Sequence, residues 1–109
     1  MPWREQSVRM LADNMSVLLA PLGPVVPMPL LGTCGLYLED SVFGLVSDGI
    51  VYFRTCPRTL PKYEQSGARQ FVYLLDDGTE LAMDFHAVPG YVLESADIAC
   101  AWAYESASI

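Results

Sequence analysis

The chain has 109 residues, of which 52% are hydrophobic and 17% charged; this supplies apolar surface for one core and too little charge for disorder. Two independent cores would each be too small, so residues 1–109 read as one domain. Six Lys and Arg against thirteen Asp and Glu leave a formal net charge of -7. That balance argues against direct nucleic-acid binding, because a polyanion is held by basic patches that release its counterions.

From Pro2 to Ala20, Val8, Leu11, Ala12, Met15, Leu18 and Leu19 recur at spacings of three and four, with Leu22 continuing the series. This predicts an amphipathic helix with Arg4, Glu5, Arg9, Asp13 and Ser16 on its outer side. Pro21, Gly23 and Pro24 stop it. Arg4, Glu5 and Asp13 also interrupt any leader-like apolar run, and Val17 to Leu31 is cut by Pro21, Pro24, Pro27 and Pro29, so it cannot cross a bilayer as a helix. A cytoplasmic protein without membrane contact is expected.

Three runs rich in aromatic and β-branched residues follow: Gly35–Glu39, Ser41–Ser47 and Ile50–Arg54. Glu39-Asp40 and Asp48-Gly49 join them, the second being a strong hairpin signal because a type I′ turn needs positive φ at both central residues. The prolines make Val25–Leu31 an edge strand or a loop. Past Cys56-Pro57, Thr59 is placed to cap a short helix over Leu60–Ser66, ended by Gly67. Two more strands, Gln70–Leu74 and Thr79–His86, flank Asp76-Asp77-Gly78. In the last, Leu81, Met83 and Phe85 alternate with Ala82, Asp84 and His86. After Pro89-Gly90, Ser95 and Asp97 open a final helix with Ile98, Ala101, Trp102 and Glu105 on one face. The expected order is α-βββ-α-ββ-α: an α+β fold with a five-stranded antiparallel sheet packed with helices in two layers.

Catalytic and metal signals are weak. Cys34, Cys56 and Cys100 are odd in number and lack CxxC spacing, which fits free thiols in a reducing compartment. With His86 they could form a zinc site only if four dispersed residues converged. His86 and Asp84 share a strand side, as ordinary surface neighbours do. Gly32-x-x-Gly35 lacks the strand–loop–helix setting of a nucleotide fingerprint, and Asp76-Asp77 suits a turn. Arg54, Arg58, Lys62 and Arg69 lie within sixteen residues and read as solvated charge around the short helix. No enzyme, cofactor or metal is expected.

The meander carries a more informative pattern. If Ser47 pairs with Ile50 and Leu38 with Ser41, one face holds Leu36, Leu38, Phe43, Leu45, Ile50 and Tyr52. The other holds Tyr37, Val42, Gly44, Val46, Val51 and Phe53. Both are apolar, whereas a sheet covered on one side alternates apolar-in with polar-out. Either the chain's own helices or its proline-rich stretch wrap the second face, or that face is a docking or self-association surface. A charge at Val46 would then alter partner capture without unfolding the domain.

Along nearly its whole length the chain resembles the TfoX N-terminal domain family. The resemblance rests on Leu22-Gly23-Pro24-Val25, Gly32, Gly35-Leu36-Tyr37-Leu38, Val42-Phe43-Gly44-Leu45-Val46, Asp48-Gly49 and Val51-Tyr52-Phe53. It continues through Tyr63-Glu64-x-x-Gly67, Phe71-x-Tyr73, Met83, Val88-Pro89 and Trp102-Ala103. It implies a two-layer fold similar to secretion chaperones and a non-enzymatic regulatory domain that docks to a protein partner. Where the resemblance implies a basic pair and then Met-Phe-Gly-Gly, this chain reads Met28-Pro29-Leu30-Leu31-Gly32-Thr33, and the second domain of competence regulators is not expected here. A protein partner, including a second copy, is therefore the expected occupant. The alternative is a small-ligand pocket at the Gly32–Gly35 turn, walled by Cys34, Tyr37 and His86.

Overall fold

The computed structural model describes residues 2–109, with side chains from Val8 onward. Arg4 and Glu5, expected on the outer side of the first helix, have side chains outside the described set. Helix α1 spans Pro2–Leu18 and is followed by a 3-10 turn at Ala20–Leu22, where Pro21 cannot extend the α-helical ladder. Ala12, Met15 and Leu19 are buried, and Val8, Leu11, Leu18 and Leu22 pack beside them, as the spacing predicts.

Six antiparallel strands follow: β1 Val25–Leu30, β2 Thr33–Leu38, β3 Ser41–Ser47, β4 Ile50–Arg54, β5 Gln70–Leu74 and β6 Glu80–Ala87. Their order across the sheet is β1-β2-β3-β4-β6-β5. The expected count of five is corrected by β1, which pairs with β2 from Val25↔Leu38 to Leu30↔Thr33. Pro27 and Pro29 share one parity, so β1 keeps the alternate N–H groups that bond β2 and lacks those that would face a further strand. The prolines make it an edge without abolishing it.

Asp48 and Gly49 take φ of 50° and 78°, the type I′ hairpin the dipeptide predicts, and Ser47 pairs with Ile50. Leu31 and Gly32 form a second such turn with φ of 51° and 72°, one that the Leu31 side chain conceals in the sequence.

Three shorter helices complete the chain: α2 Leu60–Gln65, α3 Gly90–Leu93 and α4 Ala96–Ala107. Neither expected side-chain cap forms. The Thr59 hydroxyl turns back on Cys56, accepting from its amide at 3.1 Å and donating to its carbonyl at 3.3 Å. Ser95 serves α4 through its carbonyl, which accepts from the Ala99 amide at 2.9 Å. The buried stripe of α4 is Ala99, Ala103 and Ser106, whereas Ile98 is exposed and Ala101 faces solvent. Small residues win this face because they let the helix axis approach the sheet; Trp102 instead packs at its flank on Tyr63, with ring centroids 4.9 Å apart.

The register of β2 on β3 carries the main surprise. Leu38↔Ser41 and Tyr37↔Val42 pair as expected, but Leu36 pairs with Gly44, leaving Phe43 as an extra residue. This is a β-bulge in which Phe43 and Gly44 together oppose Leu36. A Cβ on Gly44 would lie 2.9 Å from the Tyr52 carbonyl oxygen and 3.3 Å from both Leu36 and Phe53. Gly44→Ala is expected to cost about 1–3 kcal/mol by overpacking against backbone that cannot yield, read as a lowered midpoint in urea.

Candidate functional site

The bulge sorts the meander's side chains differently from an unbroken hairpin. Leu36, Leu38, Phe43, Val46, Val51 and Phe53 join the cluster that includes Ala12, Met15, Leu19, Val92, Ala99 and Ala103 from the helices. Leu45 and Tyr52, with Val42 and Ile50, belong to a second cluster completed by Phe71, Tyr73, Met83 and Phe85. Every member of that second cluster lies on a strand. Among the described residues, helices cover one side of the sheet only.

The six residues expected to form one surface are therefore split. Val46 and Phe53 are fully buried and Val51 is 3% exposed under the helices, with Gly44 on the same side. Tyr37 and Val42 lie half-buried on the opposite, strand-only side. The surface as drawn from an unbroken register is corrected for four of its six members, and a charge at Val46 would enter the core. Tyr37 folds back over Gly35, where a Cβ would come within 2.9 Å of its ring.

The strand-only face is the larger feature. Val26 and Met28 of β1, 47% and 50% exposed, share it with Leu30 and Tyr37 by pairing, and Leu81 of β6, 49% exposed, extends it beside Tyr73. Its centre is tightly packed: Leu45 is fully buried, and Tyr52 meets Phe71 edge-on at 5.1 Å. Sequence reasoning recognised the apolar row Leu81, Met83 and Phe85 but assigned it no exposure. The apolar side of β6 turns out to be the side without helices.

The polar side of β6 faces the helix layer. His86 is 9% exposed, and its Nδ1 is hydrogen-bonded to the Thr55 hydroxyl at 2.9 Å rather than to Asp84, which is exposed. Burial lowers its pKa, opposed by the charges of Glu64 and Asp84. Because the folded value lies below 6.5, the unfolded chain takes up the proton first on acidification, and stability falls as pH drops through that range. Between about pH 7.5 and about pH 5.5 the wild type is expected to lose more stability than His86→Gln, as urea titrations at each pH would measure.

Next to His86, the Tyr63 hydroxyl is buried without a hydrogen-bond partner, and burial pushes its pKa up to about 12. The Ser106 hydroxyl beside it opposes that rise, while its own proton goes to the Arg54 carbonyl at 2.7 Å. An unpaired buried hydroxyl costs about 1–3 kcal/mol, so Tyr63→Phe is expected to match or exceed wild-type stability in thermal unfolding.

The remaining candidates do not assemble. Cys34 is buried on β2, Cys56 follows β4, and the Cys100 thiol points to the Leu18 carbonyl at 3.8 Å. Among the described residues no group of three His, Cys, Asp or Glu is placed to hold a metal ion. Burial raises the Cys34 pKa, and the Thr59 amide lowers that of Cys56. A cleft of about 550 Å³ does open at the Gly32 turn, bordered by Arg9, Pro27, Thr33, Cys34 and Asp48; Tyr37 and His86, expected as its walls, are elsewhere. The four clustered basic residues diverge: Lys62 pairs with Glu105 and lies 4.4 Å from the Trp102 ring, whereas Arg54 takes the parity of Tyr52 on the strand-only side. Among the described residues no helix is long and apolar enough to cross a membrane.

These features define an α+β protein with helices on one face of an antiparallel sheet. The TfoX N-terminal domain profile matches residues 17–109, and the chain belongs to that family. The family is of regulatory type and is not a known enzyme family. A comparison with curated proteins finds none that matches.

Proposed function

We propose that this chain is a non-enzymatic docking domain that holds a protein partner against the strand-only face of its sheet. The observation that carries this reading is the set of apolar side chains around the packed centre of a side that no described helix covers: exposed Val26 and Met28 with half-buried Tyr37 on β1 and β2, and exposed Leu81 on β6. A sheet face left to water normally alternates to polar residues, and an exposed contiguous apolar patch is characteristic of interaction surfaces. Membership of a regulatory-type family supports a role in binding over one in catalysis. The three free thiols support a reducing, cytoplasmic setting.

The test compares variants that keep the fold. Tyr37→Asp and Leu81→Asp place charge on the proposed surface, whereas Val17→Asp alters an α1 residue that is 76% exposed. Proteins captured by wild type and by Val17→Asp are expected to be lost, by about tenfold or more, with either face variant. An identical captured set for all four proteins, each melting as wild type does, would refute docking at this face.

A further inference from the structure

We propose that the free edge of β5 takes up an extended, lysine- or arginine-bearing segment of another protein as a further strand of the sheet. This site lies at the opposite end of the sheet from β1 and does not rest on docking at the strand-only face.

The two outermost strands, β1 and β5, have different edges. Pro27 and Pro29 remove the outward N–H groups of β1, whereas β5 has no proline and no charge from Gln70 to Leu74. The Leu75 amide bonds the Thr79 carbonyl at 2.8 Å. By antiparallel alternation Tyr73 then bonds Leu81, and Val72 and Leu74 turn their N–H and C=O groups away from β6. These groups form an open ladder that fits the backbone of an extended chain. The irregularity between Gln70 and Val72 confines it to the second half of β5.

That half stands clear of the core. β4 pairs with β6 only from Phe85 to Ala87, so Glu80–Met83 and their β5 partners form a two-stranded arm. Every residue from Leu74 to Ala82 is exposed, and Val72 and Leu74 are 43% and 64% exposed. Two strands alone are marginal in water, and a strand added on β5 supplies a third.

Charge selects the occupant. All six Lys and Arg precede Gln70, where six acids balance them, so the whole net charge of -7 lies in residues 70–109. Asp76, Asp77, Glu80 and Asp84 are exposed on or beside the arm, and none forms an ion pair among the described residues. Glu80 pairs with Leu74 and, like Asp84, shares the side of Val72 and Ala82. Lysines or arginines on an added strand would lie two strand spacings, about 10 Å, from these carboxylates. Their aliphatic stems would cross Val72 and Leu74 and carry the cations toward Glu80 and Asp84. A second copy would instead bring another charge of -7 to the same edge.

The test uses the full chain with fluorescent, end-blocked hexapeptides of alternating Lys and Val, and of alternating Glu and Val as control. Anisotropy should show the basic peptide bound below about 1 mM, about tenfold or more tighter than the acidic one, and weakened by added salt. Amide hydrogen exchange should slow at Val72 and Leu74 when it binds. Leu74→Pro removes an outward N–H while keeping the β5–β6 bonds, and should weaken binding about tenfold. Asp76→Lys combined with Glu80→Lys should abolish the preference for the basic peptide, and Tyr37→Asp should change nothing. No binding at about 1 mM, equal binding of both peptides, or a preference that persists in the double lysine variant overturns the inference. So does full binding by a folded Leu74→Pro protein; if that binding is lost on Tyr37→Asp, docking at the strand-only face still stands. A wild type that weighs twice the 12.0 kDa chain, with the Val72 and Leu74 amides already protected, overturns it in favour of a second copy.

Discussion

Phe43 has no partner of its own on β2, and the placement of the meander's side chains depends on that one extra residue. At the bulge, Phe43 and Gly44 both oppose Leu36, so both can face the helices without a break in the core. The arrangement requires the second of the two to be glycine, because the Tyr52 carbonyl occupies the space a methyl group would need. Beyond the bulge Leu45 falls on the opposite side, where it becomes the buried centre of the strand-only cluster. A single backbone irregularity thus decides which residues of the meander fall on each of the two apolar faces.

One face is closed by the chain itself. Helix α1 lies on β1, β2 and β3, and α4 lies on β3 and β4. The close approach of α4 follows from its stripe of Ala99, Ala103 and Ser106. Polar groups enter this layer at a few points: His86 with Thr55, Ser106 with the Arg54 carbonyl, and the unpaired Tyr63 hydroxyl. Each is a place where desolvation opposes the burial that stabilises the fold, at roughly 1.5–3 kcal/mol per large apolar side chain.

The other face stays bare because the described helices are all committed to the first. Kinship with the TfoX N-terminal domain constrains the fold without naming an occupant. What this chain contributes itself is the chemistry around the face: prolines on one edge, mixed charge near Tyr52, and acidic residues of β6 turned away. Met28 to Gly32, where the family resemblance implies a basic pair and paired glycines, form the end of β1 and its tight turn.

The sequence by itself determined the class of fold, the amphipathic first helix, the three expected hairpins and the pairing of Ser47 with Ile50. These follow from local causes: helical spacing, alternation along strands, and the positive φ that Asp-Gly turns accept. Residue type also showed that both sides of the meander are apolar. Only the tertiary structure decided that Val25–Leu30 joins the sheet, since a proline-bearing edge depends on the partner strand that stabilises it. It also decided which side each residue takes, because a bulge arises from packing Phe43 and Gly44 against Leu36 and leaves no local pattern to read. Tyr37 and Val42 were legible as surface candidates and Val46, Val51 and Phe53 were not, for the physical reason that one inserted residue reverses the parity of a strand.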